Sequence, residues 1–208
     1  MNDISTIAAL ATAPAPSGIA IVRVSGPLTR KVLNNIFQSN VPPADNPRYL
    51  AYGKVVDYQT RAVIDKSLAV FMPGPNSYTG EDIAEFHLHG SLVLVQKVLR
   101  SLYAFGISPA EPGEFSKRAF LNGKLDLVQA EAVRDMIHAT TDKALRIASE
   151  QLEGRFSKAI ESFGEPLRNA LAEIEAHLDF PEEDISPDSL KKINSTIKKS
   201  RKRIQSLV

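Results

Sequence analysis

One stretch near the middle of the chain, residues 111–133 (EPGEFSKRAFLNGKLDLVQAEAV), separates two kinds of sequence. It opens with turn formers at Pro112-Gly113, continues as a short helical segment, breaks at Asn122-Gly123 and restarts on apolar residues at helical spacing. Before it, short β-type runs alternate with two helical patterns, and after it nearly every segment is typical of a helix. The stretch therefore predicts an α+β domain with a mixed sheet and helices, residues 1–118, followed by an all-helical domain, residues 119–208.

The composition is that of a folded protein with no overall attraction for polyanions. Of the 208 residues 43% are hydrophobic, whereas 25 Lys and Arg against 24 Asp and Glu leave a net charge of +1. There is no cysteine, so disulfides, thiolate metal sites and a cysteine nucleophile are excluded. No apolar run approaches the roughly 20 residues of a membrane span, and Asp3 stands where a signal peptide would carry a basic residue. We therefore expect a cytoplasmic protein without membrane contact.

The first clear strand pattern, GIAIVRVSG at residues 18–26, carries a charge on one face. Ala20, Val22 and Val24 alternate with the residues of the opposite face, where Arg23 is the odd member. An unpaired buried charge is costly, so Arg23 is expected to pair with an acid, bind an anion or extend its head group to solvent. Ser25 is predicted to be the N-cap of the helix that follows.

A second strand pattern, residues 82–89, has two very different faces. Its even-numbered positions from Ala84 are apolar, whereas Glu85, His87 and His89 line the other face at intervals of about 7 Å. That row is typical of a hydrogen-bonded polar pocket or interface, of a solvated face, or of a metal site in which imidazoles and a carboxylate converge on one ion. A carboxylate can also accept two parallel hydrogen bonds, the pattern that a pterin or guanine edge presents, which makes Glu85 a candidate ligand contact.

Other segments complete the predicted order of elements. Residues 49–58 and 63–71 are β-type runs that predict a hairpin, and residues 90–106 predict a helix closed by Gly106. Lys124 follows the Asn-Gly turn and precedes a helix, where a lone exposed lysine is the usual interpretation.

The pattern of the second half of the chain predicts successive helices. The apolar spacing predicts one helix over 125–137 and a second that carries apolar residues from Ala144 to Phe163. Gly164 and Pro166 are predicted to kink or interrupt the second helix, because proline lacks the backbone donor and clashes with the preceding turn.

The end of the chain combines an acidic turn with a basic amphipathic helix. FPEEDISPD at residues 180–188 predicts a connection between helices, and residues 190–208 set an apolar stripe against many Lys and Arg. The basic run KKSRKR is typical of a solvated bundle face, with contact to nucleic-acid phosphates as the alternative. An apolar stripe must be buried, so we expect that the natural polypeptide continues or that another chain completes the bundle.

Three blocks of the sequence resemble a known family. SYTGEDIAEFHLHG, PGEFSKRAFLNGKLDLVQAEAV and LDFPEEDI stand in the order found in the N-terminal part of the MnmE (TrmE) family of tRNA-modification GTPases. The resemblance extends over essentially all 208 residues. The sequence departs from the family pattern in the proline-rich loop ATAPAPSG and in HLHGS, where the family commonly has His-Cys-His-Gly-Gly.

The resemblance implies a fold, a cofactor and a set of binding residues for the first domain. The fold would be similar to that of the folate-binding T-protein (aminomethyltransferase) of the glycine cleavage system, and the domain would bind 5-formyltetrahydrofolate and form a homodimer. The family's folate contacts are the Arg of G-I-x-[IL]-[VL]-R-[IV]-S-G, the second Glu of T-G-E-D-x-x-E and the Lys of F-L-N-[GD]-K-L-D. They fall on Arg23, Glu85 and Lys124.

The resemblance also implies what the parent protein does. In the family, a P-loop GTPase domain and C-terminal helices complete the helical part, and the GTP-binding hydrolase acts with the flavoprotein MnmG (GidA) in a heterotetramer. Together they place an aminomethyl or carboxymethylaminomethyl group on the tRNA wobble uridine, with the folate as one-carbon source.

The motifs of the GTPase are absent from this sequence. There is no GxxxxGK[ST] and no cysteine for the family's C-terminal motif, so this helical domain is incomplete and the chain is not expected to hydrolyse GTP. GTP, Mg²⁺ and K⁺ would be bound only through the missing domain, and we assign no catalytic residue and no metal ligand. Two alternatives are a free-standing folate-dependent aminomethyltransferase and a non-catalytic assembly module in which Arg23, Glu85 and Lys124 form interface ion pairs.

Overall fold

The computed structural model describes residues 5–179 and 187–205, which divide into two compact units between Leu125 and Asp126. The division lies beyond residue 118, where the sequence placed the boundary, because the chain just after that point remains attached to the first unit. The side-chain amide of Asn122 donates to the Thr79 carbonyl at 2.7 Å, and the Lys124 N–H donates to the Ala119 carbonyl at 2.8 Å.

The first unit contains a seven-stranded mixed sheet, as predicted. Its order is β3-β4-β5-β6-β2-β1-β7, in which β1 and β7 are parallel and the other neighbouring pairs are antiparallel. The predicted hairpin is formed by β4 and β5, and β2 lies beside β6 although a helix and three strands separate them in the chain. The strands are β1 (Ile7–Leu10), β2 (Ser17–Ser25), β3 (Phe37–Gln38), β4 (Ala51–Val56), β5 (Val63–Met72), β6 (Ile83–Gly90) and β7 (Ser108–Pro109).

Two of the three helices of the first unit cover one face of the sheet. The helices are α1 (Thr29–Ile36), α2 (Leu92–Ala104) and α3 (Glu114–Leu121). The apolar faces of β2 and β6 form one buried cluster with α1 and α2, as the alternation in the sequence predicts. The central members of this core are Val22, Val24, Val32, Leu33, Ile36, Phe71, Ala84, Phe86, Leu88, Val95, Val98 and Leu102.

Ser25 is not the N-cap of α1, so that prediction is wrong. Ser25 is the last residue of β2, and the chain turns at Gly26, whose φ of 129° is unfavourable for an L side chain. The helix therefore begins three residues later, with Leu28 at the N-cap position and no side-chain cap. The Ser25 hydroxyl is fully buried instead, at 2.7 Å from both Thr79 Oγ1 and Glu81 Oε2.

The second unit contains four helices among its described residues: α4 (Leu127–His138), α5 (Asp142–Leu152), α6 (Arg155–Asp179) and α7 (Pro187–Gln205). Asp126 and Gln129 form a reciprocal capping box that fixes the start of α4. All-helical character after the sheet domain was predicted and is confirmed. Within residues 5–179 and 187–205, no helix is both long and apolar enough to cross a membrane.

Of the kink or interruption predicted at Gly164 and Pro166, the interruption does not occur there. The helical region is interrupted at Gly154 instead, where a left-handed backbone with a φ of 74° follows the end of α5. Pro166 lies inside the continuous helix α6. Proline removes one helical hydrogen bond there without ending the helix. Of the predicted connection at 180–188, residues 180–186 lie outside the described residues and α7 begins at Pro187.

Candidate functional site

The sheet face opposite α1 and α2, called here the open face, carries a row of polar side chains. Because the apolar residues of β2 and β6 fill the core, Arg23, Glu85 and His87 alternate onto the open face. Arg23 and Glu85 are direct cross-strand partners between β2 and β6. Their side chains are only 27% and 13% exposed, so the pair is partly withdrawn from water.

Arg23, Glu85 and His87 form one hydrogen-bonded group. The Arg23 Nε and Nη2 atoms lie 2.9 and 2.8 Å from the same Glu85 oxygen, Oε1. His87 Nε2 lies 3.1 Å from the other oxygen, Oε2. Of the alternatives for Arg23, pairing with an acid is the one that the structure shows. A carboxylate has about four acceptor positions, and these contacts occupy both positions of Oε1 and one of Oε2, so Oε2 keeps one position for a further donor.

Two aromatic rings flank the Arg23 guanidinium. Its Cζ atom lies 5.5 Å from the centre of the Tyr78 ring and 5.7 Å from that of Phe115, within range of cation–π attraction. Tyr78 belongs to residues 73–82, called here the β5–β6 loop, and its hydroxyl lies 2.8 Å from Ser116 Oγ on α3. The sequence gives no signal that either ring lies near Arg23, because nothing in the spacing places Tyr78 or Phe115 against β2.

Lys124 is exposed and is attached to the same loop. A Cβ atom built on Gly80 would lie 3.3 and 3.5 Å from Lys124 Cγ and Cδ, so the aliphatic stem of the lysine packs along the Gly80 backbone. Lys124 forms no ion pair with any residue in the described part of the chain. The structure thus brings Arg23 and Glu85 into contact and ties Lys124 to the loop that carries Tyr78, without a direct contact between Lys124 and the pair.

A second ionic group, called here the Arg118 cluster (Arg118, Glu81 and Glu114), fixes α3 to the β5–β6 loop. Arg118 Nη1 lies 3.2 Å from both Glu81 oxygens, and Arg118 Nη2 lies 2.8 Å from Glu114 Oε1. The three side chains are 11%, 14% and 18% exposed. Arg118 Nη1 also donates to the Ser5 carbonyl at 2.7 Å. The cluster therefore ties together the two segments that supply Tyr78 and Phe115.

The sequence predicts one of the two ion pairs of the Arg118 cluster, the one between Glu114 and Arg118. Glu114 and Arg118 are four residues apart on a helix, a spacing that predicts an ion pair. Nothing comparable points to Glu81, since its contact with Arg118 spans 37 positions and depends on how the loop folds.

The Glu114 carboxyl makes the first unit sensitive to acid. Burial raises its pKa, but the donated Glu111 N–H and the Arg118 side chain outweigh burial, so the pKa lies below the ordinary value of 4.5. A carboxyl with a depressed folded-state pKa adds stability above its unfolded pKa, and this stability is lost as pH falls through the folded pKa. We expect wild type to exceed Glu114→Gln in unfolding free energy at neutral pH, with the difference shrinking below about pH 4.5.

The measurement is urea unfolding followed by near-UV circular dichroism of tyrosine at several pH values. All five tyrosines lie between Tyr49 and Tyr103 and there is no tryptophan, so this signal reports on the first unit alone. A difference that stays constant from neutral to acid pH would contradict the role assigned to Glu114.

The histidine row of β6 does not converge on one point. His87 faces Glu85, whereas His89 Nδ1 lies 2.9 Å from Asp65 Oδ1 and its backbone N–H donates to Asp65 Oδ2 at 2.9 Å. Among residues 5–179 and 187–205, no group of three or more His, Asp or Glu side chains is placed to hold a metal ion. Of the alternatives for this row, hydrogen-bonded polar contacts describe the geometry.

Comparison with protein families matches the whole chain in two parts. The model described as the GTP-binding protein TrmE N-terminus matches residues 6–124, and the model described as the MnmE helical domain matches residues 127–208. The chain belongs to the MnmE (TrmE) family. The resemblance identified from its sequence blocks is therefore confirmed, and the two matched regions correspond to the two compact units of the MnmE fold described above.

Individual relatives give the same result. Proteins described as tRNA modification GTPase MnmE from Natranaerobius thermophilus and Geobacter sulfurreducens are 41% and 42% identical over 204 and 203 residues, in each case 98% of this chain. The protein of the same description from Clostridioides difficile is 45% identical over 205 residues, or 96% of this chain. Each alignment covers 44% of the relative, so the chain spans less than half the length of these MnmE proteins.

Proposed function

We propose that this chain is the folate-binding part of a tRNA-modification GTPase. It binds 5-formyltetrahydrofolate as the one-carbon source for (carboxymethyl)aminomethyl modification of the tRNA wobble uridine. GTP hydrolysis, pairing with MnmG and tRNA binding belong to the assembled protein. The observation that carries the folate proposal is the Arg23–Glu85 pair on the open face, flanked by the Tyr78 and Phe115 rings.

The residues present fit a reduced folate. A tetrahydropterin presents an N–H beside an amino group. The free acceptor position of Glu85 Oε2 accepts one of these donors, and the other takes the place of one Arg23 N–H at Oε1. Tyr78 and Phe115 supply aromatic surface beside the Arg23 guanidinium, suited to a planar heterocycle. Arg23 and the exposed Lys124 are cations for the formyl oxygen or the carboxylates of the glutamate tail. When bound, the folate supplies the one-carbon unit, and these residues hold and orient it.

The testing experiment is a calorimetric titration of the 208-residue chain with 5-formyltetrahydrofolate. Saturable binding with one site per chain is expected. A folded chain that shows no binding would exclude the folate function and leave the assembly module. Transfer of the one-carbon unit to an aminomethyl acceptor by this chain alone, without GTP, would instead identify a free-standing aminomethyltransferase.

The proposal includes a homodimer formed by the first unit. The dimer is what the family resemblance implies, and the exposed side chains of Ile19 and Tyr52 on the open face, 60% and 66% exposed, would be covered by a partner at that face. Sedimentation equilibrium should report twice the 22.7 kDa mass of the chain. A monomer at every concentration tested would contradict the dimer and leave the folate proposal unaffected.

A further inference from the structure

The hydrogen bonds of Glu85 are divided unequally between its two oxygens. Both Arg23 nitrogens approach Oε1, and only His87 Nε2 approaches Oε2, at 3.1 Å. Rotation about the Cγ–Cδ bond of Glu85 moves both oxygens together, so donors at both oxygens restrict this rotation more than donors at one. Arg23 therefore holds Oε1, and the contact with His87 holds Oε2 and completes the restraint on the plane of the carboxylate.

The His87 ring is held on the open face between two strands. Its cross-strand partners are Leu68 on β5 and Ile21 on β2, both partly buried, and the imidazole is 21% exposed. A β-strand sets side chains two positions apart on one face, so His87 reaches Glu85 from its own strand. The ring is thus anchored by the sheet and not by a mobile loop.

The plane of the carboxylate matters for the ligand proposed at this site. Two parallel donors, an N–H and an amino group, bond both oxygens of a carboxylate only when its plane contains them. A carboxylate already set in that plane loses less rotational freedom on binding than one that is free to turn.

We propose that His87 is a positioning residue of the folate site, which sets the plane of Glu85 for the pterin edge without contacting the ligand itself. The inference rests on the proposed function, in which Glu85 receives that edge.

The test compares 5-formyltetrahydrofolate affinities of His87 variants by calorimetry. His87→Leu removes the donor and should weaken binding about three- to tenfold, the cost of ordering one free side chain. His87→Gln keeps an N–H donor and should bind within about twofold of wild type, since the amide reaches the same oxygen. The matched control is His89→Leu on the same strand, which leaves Glu85 and its partners untouched and should not change the affinity.

A double-mutant cycle separates positioning from general damage to the fold. In a Glu85→Ala background, His87→Leu should have no further effect on affinity, because the group that His87 orients is absent. Equal losses in both backgrounds, or His87→Leu binding like wild type, would overturn the inference alone. Absence of binding by the wild-type chain would overturn the folate function and the inference together. Tyrosine near-UV spectra confirm that each variant keeps its first unit folded.

Discussion

Arg118→Met should lower the unfolding free energy of the first unit by about 3–5 kcal/mol. The substitution keeps an unbranched apolar side chain but removes the cation shared by Glu81 and Glu114, which are 14% and 18% exposed. Two poorly hydrated carboxylates would then face each other without compensation, which is far more costly than losing a surface ion pair. The loss also removes the hydrogen bond to the Ser5 carbonyl.

Lys117→Met provides the matched control for this prediction. It removes one positive charge from the neighbouring position of α3, where the side chain is exposed, and should change stability by less than about 0.5 kcal/mol. Urea unfolding followed by the tyrosine near-UV signal measures both variants. If Arg118→Met and Lys117→Met lose equal stability, the cluster is not a buried ion network.

Glu85→Ala should weaken 5-formyltetrahydrofolate binding by more than tenfold, or more than about 1.4 kcal/mol. The variant removes the acceptor of both pterin donors and also releases Arg23 and His87 from their common partner. Hydrogen bonds to a charged group are stronger than hydrogen bonds between neutral groups. Losing two of them at Glu85 should therefore cost more binding free energy than losing any one neighbouring contact.

Calorimetric titration measures this loss, and Glu111→Ala is the control. Glu111 is an exposed acid just before α3, so its replacement changes the net charge equally and should leave the affinity unchanged. Unchanged affinity in Glu85→Ala would remove Glu85 from the site, even if the wild-type chain binds folate elsewhere.

Local patterns were sufficient to predict the faces of the strands. Alternation placed Arg23 opposite the apolar face of its strand and Glu85 on a polar face, and the structure has both on the open face. Their pairing was left open, because it depends on β2 lying beside β6, a long-range contact across 62 positions. Periodicity describes one strand at a time and contains no information about which strand becomes its neighbour.

The wrong predictions of an N-cap at Ser25 and of an interrupted helix at Pro166 have a common physical origin. In both cases a local rule was applied to a residue whose environment is set by tertiary contacts. Ser25 is a favourable cap in isolation, but its hydroxyl is hydrogen-bonded to the side chains of Thr79 and Glu81 on the β5–β6 loop. Pro166 disfavours a helix locally, yet the apolar stripe of α6 continues through it.

The β5–β6 loop makes four attachments within four consecutive residues, 78–81. Tyr78 stacks on Arg23, Thr79 accepts from Asn122, Gly80 supports Lys124 and Glu81 pairs with Arg118. An insertion or deletion of one residue would put all four out of register together, so the length of this segment is constrained more tightly than its sequence. Variation in this protein should accordingly appear here as substitution at constant length.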